Sequence, residues 1–245
     1  QAQIIETYRE YTFHVIYQKV HNFCIVDMGG FYLDVLKDRL YTLPANSRAR
    51  RSAQTAMYHI AEAMVRWLAP VLSFTAEEIW RFLPGTRADS VFLTTWHALP
   101  ELTPDSIDWP ALIHLRGDIT RELEKLRNEG SIGSSLDARV DIYSEPADFA
   151  RFNVLGSELR FLLITSEARL HELAHLPEGS VPTTHGPLHG TLPPRVSFAV
   201  KPETAVKCIR CWHLRPDVGS NPAHPSICAR CVSNLEEPGE VRRLV

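Results

Sequence analysis

Apolar side chains recur at helix-compatible spacing through the first hundred residues of the chain. Glycine and proline interrupt this pattern at 29–30, 44 and 84–85, which predicts four or five helices joined by short turns. The longest predicted helix runs from Arg48 to Leu68, because Pro70 cannot continue it. Thr75 and Glu78 have the spacing of a capping box at the start of the next helix. We therefore expect an antiparallel helical bundle over residues 1–105.

The pattern changes after residue 105. Residues 109–129 have the spacing of an amphipathic helix, and short strand-like runs follow at 138–143, 159–165 and 196–200. This succession predicts a small α/β module over residues 106–200. Pro, Gly, Thr and His are frequent between 177 and 194, so we expect an exposed connection there. The predicted fold class is α+β, mainly α, with a third, carboxyl-terminal segment over residues 201–245.

The composition is that of a folded soluble protein, with 44% hydrophobic and 22% charged residues among 245. No apolar run approaches the roughly 18 residues that span a bilayer, and no signal-peptide pattern is present, so we expect a cytoplasmic protein. The chain begins at Gln1 inside a helical pattern, and we interpret it as part of a longer protein. No coiled-coil pattern is found, so a monomer is expected. The formal charge of −3 restricts nucleic-acid contact to local basic patches.

Four of the five cysteines form two closely spaced pairs in the last segment, Cys208 with Cys211 and Cys228 with Cys231. Each pair supplies two sulfurs from one tight turn, and four thiolates complete a zinc tetrahedron at about 2.3 Å. Four protein ligands leave no open position for a water. We therefore predict one structural Zn²⁺ ion in a zinc ribbon over residues 201–245.

The sequence alone also permits a different metal, a different ligand or a redox role for these cysteines. Iron can occupy the same four-cysteine spacing, and a redox dithiol needs only one of the pairs. His213 and His224 lie between the pairs and can replace a cysteine as ligand. Cys24 stands apart in an apolar helix, where a buried inert thiol is expected. His185 and His189 are expected to be solvated, because the glycines and proline around them prevent a helix.

Basic and aromatic residues surround the two cysteine pairs. A rigid aromatic ring beside guanidinium groups can stack on unpaired RNA bases and bind phosphates. The RNA-binding residues predicted on this ground are Lys207, Arg210, Trp212, Arg215 and Arg230. The alternative for Trp212 is that its ring packs into the small core of the tail.

A second basic cluster lies at the start of the helix that begins at Arg48. We predict that Arg48 and Arg51 contact the phosphate backbone, and the alternative is an ordinary solvated helix end. The sequence contains no glycine-rich phosphate loop and no Ser, His and Asp set in a recognisable motif. We therefore predict no catalytic residue in this chain.

Four stretches are similar to the carboxyl-terminal third of bacterial isoleucyl-tRNA synthetases. They read YTLPANSRARRSAQTA (41–56), LAPVLSFTAEEIW (68–80), IGSSLDA (132–138) and CIRCWHLRPDVG (208–219). The first two resemble the anticodon-binding domain that valyl and leucyl synthetases share, whereas the zinc tail selects isoleucine. The resemblance implies that the four cysteines bind zinc and that the tail approaches the anticodon region of the tRNA.

The resemblance also implies the activity of the parent protein, which attaches isoleucine to its tRNA with ATP and edits misactivated valine. Neither the nucleotide-binding core nor the editing domain lies in these residues, so we expect the fragment to be inactive alone and to work with those domains in cis. Its expected partner is the anticodon stem-loop of isoleucine tRNA. The competing hypotheses are a zinc-ribbon adaptor that binds protein without RNA and a dithiol redox protein.

Overall fold

The computed structural model describes residues 1–103, 106–183, 196–236 and 238–244. The fold is mixed α/β and about 53% helical, which confirms the broad fold class predicted from the sequence. Two compact units divide the chain: unit 1 comprises Gln1–Leu36 and Arg50–Pro104, and unit 2 comprises Lys37–Ala49 and Asp105–Val245. No described helix is long and apolar enough to span a membrane. Residues 184–194 of the predicted connection, with His185 and His189, lie outside the described residues.

Five α-helices lie in the amino-terminal part of the chain: α1 (Ala2–Arg9), α2 (Phe13–Asn22), α3 (Leu33–Thr42), α4 (Arg48–Leu68) and α5 (Ser73–Phe82). A π-helical segment, Phe23–Tyr32, joins α2 directly to α3, so the break predicted at residues 29–30 is wrong. A Cβ atom on Gly29 would lie 3.1 Å from the carbonyl oxygen of Cys24, and one on Gly30 equally close to that of Ile25. The two glycines therefore let the wide helical turns close.

The structure confirms both ends of the helix predicted over Arg48–Leu68. Helix α5, in contrast, begins at Ser73, two residues before the predicted cap. The predicted capping box at Thr75 is therefore wrong: Leu72 is the N-cap residue and its side chain caps nothing. The hydroxyl of Ser73 instead donates to the carbonyl of Ala69 at 3.0 Å.

Two apolar clusters form the core of unit 1. The first joins α1, α2 and α4 and consists of Ile4, Ile16, Val20, Ala63 and Trp67. The second joins α4, α5 and the short 3-10 helix Val91–Leu93 and consists of Val65, Ala69, Ala76, Trp80 and Val91. The polar atoms of the aromatic rings are satisfied, since the Tyr8 hydroxyl donates to the Trp67 carbonyl at 2.6 Å and Trp80 Nε1 to the Ala88 carbonyl at 2.8 Å.

Unit 2 is built on a four-stranded sheet in the order β2-β1-β4-β3. The strands are β1 (Ala138–Ser144), β2 (Glu167–Glu172), β3 (Val181–Pro182) and β4 (Val196–Pro202). Strand β1 pairs in parallel with β2 and antiparallel with β4, so that Ile142 lies beside Leu170 and Phe198. Helix α6 (Trp109–Asn128) packs against β4 and buries Leu112, Leu115, Ile119 and Leu123.

The connection from β1 to β2 contains helices α7 (Pro146–Asn153) and α8 (Leu159–Leu163). The strand predicted over 159–165 is therefore wrong. A short apolar run fits a buried strand or a buried helix equally well, and here four of its residues, Leu159, Phe161, Leu162 and Leu163, are buried in helix α8. Ile164 ends that helix in the left-handed conformation, with φ at 56°.

The last segment of unit 2 holds the cysteine pairs. A hairpin of β5 (Val206–Lys207) and β6 (Leu214–Arg215) encloses the first pair. The second pair lies at the start of helix α9 (Ala229–Glu236).

Candidate zinc centre and nucleic-acid interface

The four paired cysteines converge on one point. Their sulfurs all lie within 4.8 Å of one another and all four residues are buried. The Sγ atoms of Cys208 and Cys231 are 3.7 Å apart, and those of Cys211 and Cys228 are 3.8 Å apart. Four sulfurs at about 2.3 Å from one ion would be separated by about 3.8 Å along each edge of the tetrahedron. The sulfur cluster therefore fits a zinc ion with four thiolate ligands.

Local backbone bonds hold the first cysteine pair in its turn. The amide of Trp212 donates to the Cys208 carbonyl at 2.9 Å, and the amide of Cys208 donates to the His213 carbonyl at 2.9 Å. The amide of Cys228 points at the Cys208 sulfur at 3.4 Å. Amide donors around the sulfurs favour the thiolate form that a metal requires.

The sulfurs also perturb one another. Hydrogen bonds from Cys211 and Cys231 lower the pKa of Cys228 and so favour its thiolate form. The same contacts raise the pKa of Cys231, because its sulfur keeps the shared proton when the first thiolate forms. A metal cation bound to the four sulfurs would displace the remaining thiol protons into solvent.

The apolar core around the sulfurs is small. Among the described residues it contains, besides the four cysteines, only Ile227 and Val232 as buried residues, with Val218 partly buried beside them. A core of this size cannot offset the conformational entropy of the segment, whereas zinc ligation coupled to folding supplies roughly 10 to 16 kcal/mol. Zinc would therefore hold the fold of this segment rather than perform chemistry.

The two histidines between the pairs lie outside the sulfur cluster. His213 is 3% exposed, and its Nδ1 donates to the Cys211 carbonyl at 3.2 Å. His224 lies 2.8 Å from the carboxylate of Glu236. Neither histidine belongs to the metal-binding group found among the described residues.

A largely buried ion cluster, with side chains 1–18% exposed, joins the zinc segment to the end of helix α3. The Asp38 carboxylate accepts two hydrogen bonds of 2.8 Å from Arg230 and a third from Arg242. Arg230 also pairs with Glu240 at 3.0 Å. Burial alone would raise the pKa of Asp38. The hydrogen bond from Arg230 and the positive charges of Arg230, Arg242 and His213 instead hold this pKa well below its usual range. This cluster, called the Asp38 cluster below, fixes Arg230 within unit 2.

The structure separates the predicted RNA-binding residues of the tail into two groups. Trp212 and Lys207 are exposed, although Lys207 also lies 3.2 Å from Asp137. Arg210 donates to the Thr42 carbonyl at 2.8 Å, and Arg215 pairs with Glu167 at 3.0 Å. Each of these arginines therefore already has a partner within unit 2. Arg230 has an 11% exposed side chain that pairs with Asp38 and Glu240, so it has a structural role and little surface left for the predicted RNA contact.

Trp212 is held in an unusual conformation. Its φ is 66°, in the left-handed region that favours glycine, and its side chain is nevertheless 62% exposed. The alternative in which its ring packs into the core of the tail does not fit this exposure. Ile209 from the same turn is 68% exposed, so Lys207, Ile209 and Trp212 form an exposed basic and apolar surface, called the knuckle surface below.

Ile209 was not among the residues predicted from the sequence. The CxxC spacing could have indicated its exposure, because a turn that directs both cysteines at a metal leaves the side chain after the first cysteine facing solvent.

Arg48 and Arg51, the predicted phosphate contacts at the start of α4, are exposed. Arg48 and Arg51 have no side-chain hydrogen bond or ion pair among the described residues, and no acidic residue occupies the first turn of this helix. Cations at a helix amino terminus oppose the helix dipole by roughly 0.3 to 1 kcal/mol each. An anion bound there would remove that cost.

Comparison with known protein families gives two matches. Residues 1–142 match the family described as the anticodon-binding domain of tRNA ligase. Residues 207–234 match a zinc finger found in FPG and IleRS, and this match together with the sulfur geometry identifies a structural zinc site.

Curated relatives extend the similarity over nearly the whole chain. An isoleucine–tRNA ligase of Nitrosococcus oceani is 53% identical over 99% of the chain and 25% of its own length. Those of Halorhodospira halophila and Alkalilimnicola ehrlichii are each 51% identical over 99% of the chain and 26% of their own lengths. The chain thus spans about a quarter of the length of these relatives.

The first family match covers more than half of the chain, and it includes the helices of unit 1 together with the basic start of α4. On this evidence the chain belongs to the family of anticodon-binding domains of tRNA ligases.

Proposed function

We propose that this chain is the tRNA-binding part of an isoleucine–tRNA ligase and that it recognises the anticodon region of isoleucine tRNA. The whole enzyme would join isoleucine to this tRNA with ATP, through catalytic and editing domains supplied in cis. The single observation that carries the proposal is an exposed tryptophan on a metal-held turn of a chain with an anticodon-binding domain. This chain would bind and position RNA and would have no catalytic residue.

The conformation of Trp212 supports a role in binding. A non-glycine residue in the left-handed region costs of order 1 kcal/mol, and an exposed indole adds little packing energy to repay it. Stacking on an unpaired base contributes about 1 to 3 kcal/mol. The knuckle surface is therefore expected to meet the splayed bases of the anticodon loop, with Ile209 beside the stacked ring.

Exposed basic residues in both units would bind phosphates. Lys207 is exposed next to the hairpin turn, and Arg48 and Arg51 add two exposed guanidinium groups at the start of α4. Arg210 and Arg215 keep partial exposure and are secondary candidates. Electrostatic contacts of this kind fix the position of the RNA, whereas base contacts select its sequence.

The proposal includes the finer features expected from the sequence. The helices of residues 1–105 would form an antiparallel bundle of the anticodon-binding type, followed by the α/β module of 106–200 and the zinc segment of 201–245. The protein would act as a monomer in the cytoplasm. The alternative, a zinc-ribbon adaptor that binds protein without RNA, receives no support from the family match over residues 1–142.

The test is a binding titration of the zinc-loaded chain against isoleucine tRNA and a non-cognate tRNA at two salt concentrations. We expect preferential binding of isoleucine tRNA that weakens with salt, because phosphate contacts release counterions. Equal and weak binding of both tRNAs would contradict recognition by this chain.

A substitution series at Trp212 separates recognition from folding. Trp212→Gly removes the ring and also relieves the left-handed backbone, so zinc content and thermal midpoint should stay unchanged or rise while RNA affinity falls by about 1 to 3 kcal/mol. Trp212→Phe keeps a stacking ring and should retain part of the affinity. Unchanged RNA affinity in Trp212→Gly would remove the ring from the interface.

A further inference from the structure

Three arginines surround the ring of Phe161 in unit 2. The guanidinium carbons of Arg242, Arg160 and Arg230 lie 3.3, 4.6 and 5.1 Å from the ring centroid. Phe161 itself is buried, at 5% exposure. Like charges gathered on one ring repel one another unless each has an anionic partner.

Two of these arginines have such partners within the protein. Arg230 and Arg242 both pair with Asp38, and both also lie near Glu240. Arg160 differs, because its side chain makes no hydrogen bond or ion pair with any described residue. Its Nε atom is buried without a partner, whereas the two terminal nitrogens are not enclosed in this way. Arg160 is thus a half-buried cation with an open donor face.

The surroundings of Arg160 disfavour its charge. Burial and the charges of Arg215 and Arg230 lower the pKa of Arg160, and the charges of Glu167 and Glu240 offset this only in part. A buried charge without a partner costs free energy that a bound anion recovers. In spite of the lowered pKa, the guanidinium remains charged at neutral pH, so the site attracts anions.

We propose that Arg160 binds a phosphate group of the RNA backbone through its terminal nitrogens. This inference rests on the proposed function and adds a contact to it. Arg215 lies on β6 three residues after Trp212 and pairs with Glu167 at 3.0 Å. Glu167 lies two residues after Thr165, whose amide donates to the Arg160 carbonyl at 3.0 Å. RNA seated on the knuckle surface therefore passes close to a guanidinium that lacks an anion. A planar guanidinium with two free terminal nitrogens forms the forked pair that phosphate accepts.

Sequence alone gave no sign of this residue. Arg160 lies in a short apolar helix, and its significance comes from Arg215, Arg230 and Arg242, which are 55, 70 and 82 residues later in the chain.

The experiment measures RNA affinity against salt concentration for the zinc-loaded chain and for Arg160→Gln, with isoleucine tRNA and a non-cognate tRNA. We expect Arg160→Gln to bind both tRNAs about three- to tenfold more weakly, and the slope of log affinity against log salt to fall by about 0.7 to 0.9. The matched control is Arg127→Gln, because Arg127 is exposed and paired with Glu124, so affinity and slope should stay unchanged.

The outcomes separate this inference from the proposed function. If the unmodified chain shows no salt-sensitive tRNA binding, the proposed function fails. If the unmodified chain binds tRNA and Arg160→Gln binds with the same affinity and slope, only the role of Arg160 is overturned.

Two further measurements test the geometry of the contact and the identity of the anion. Arg160→Lys keeps the charge but not the fork, so its salt slope should match that of the unmodified chain while its affinity falls severalfold; an unchanged affinity contradicts the proposal. Inorganic phosphate tests a free anion as the ligand. If it raises the thermal midpoint through Arg160 while RNA binding ignores the substitution, the site serves free phosphate and the RNA contact is wrong.

Discussion

Each unit of the molecule contains a carboxylate, at most 15% exposed, that binds two arginines stacked on one aromatic ring. In unit 1, Glu62 pairs with Arg66 at 2.5 Å and Arg87 at 2.7 Å, and both guanidinium groups lie over Trp80, at 4.7 and 4.4 Å from its centroid. In unit 2, Asp38 pairs with Arg230 and Arg242 over Phe161. The chemistry of the two clusters is the same.

The clusters differ in how far along the chain they reach. Glu62 binds residues 4 and 25 positions away, whereas Asp38 binds residues 192 and 204 positions away. The first cluster therefore strengthens a local part of unit 1. The second closes unit 2, because it ties the end of α3 to the zinc segment and to the residues that follow it.

The largest effect is expected from breaking the zinc site beside the Asp38 cluster. Cys228→Ser should abolish zinc binding, and hydrogen exchange should show loss of protection over residues 206–236 and at residues 37–42, which Arg230 no longer holds. The ligation energy at stake is roughly 10 to 16 kcal/mol. The apolar clusters of unit 1 should stay protected, as expected if the helical part folds on its own core.

Cys24→Ser is the matched control, because Cys24 is half-buried and free and lies outside the sulfur cluster. It should keep full zinc content and the protection pattern of the unmodified chain. Loss of protection throughout α1, α2 and α4 in Cys228→Ser would contradict independent folding of unit 1.

The next largest effect is expected at the carboxylate of the distant cluster. Asp38→Asn leaves two buried guanidinium groups with Glu240 as their remaining partner, so the free energy of unfolding should fall by about 3 to 5 kcal/mol in urea denaturation. Zinc content should persist. Glu6→Gln, which breaks the exposed pair with Arg9, should cost no more than about 1 kcal/mol. Equal effects of the two substitutions would show that the Asp38 cluster contributes little.

The smallest of the three effects is expected at Glu62. Burial alone would raise the pKa of Glu62, but hydrogen bonds from Arg66 and Arg87 lower it below its ordinary value. Its stabilisation is therefore complete above the unfolded pKa of about 4.3 and is lost as the pH falls through the folded value. Glu62→Gln should cost about 1 to 3 kcal/mol at pH 7.

Denaturation curves from pH 7 to pH 3 would check the sign of this prediction. The difference between the unmodified chain and Glu62→Gln should shrink only below about pH 4.3. A constant difference would mean that the charge of Glu62 contributes nothing.

Local patterns predicted the longest helices well, because each has its own apolar periodicity and its own terminating residues. Helix α4 has the predicted ends, and α6 ends one residue before the predicted position. The run over 159–165 was misassigned, because four to eight apolar residues have no period that distinguishes strand from helix. The π-helical segment was missed, because it depends on how closely Gly29 and Gly30 approach the preceding turn.

The candidate site divides in the same way. The sulfur cluster follows from two local spacings and the chemistry of thiolates, so its four members were visible in the sequence. The sequence did not show which arginines are paired within the protein, because their partners come from remote parts of the chain. Arg230 has the sequence context of an RNA contact but is bound by Asp38, and no local pattern distinguishes Arg160 from a paired arginine.

The span of the Asp38 cluster has a consequence for the order of events during protein synthesis. Asp38 leaves the ribosome 204 residues before Arg242, an interval of roughly 10 to 40 seconds at elongation rates of about 5 to 20 residues per second. Until Arg230 and Arg242 have been synthesised, the Asp38 carboxylate lacks both of its arginine partners. The apolar clusters of unit 1 can pack during this interval, whereas the Asp38 cluster of unit 2 is complete only after Arg242 has been synthesised.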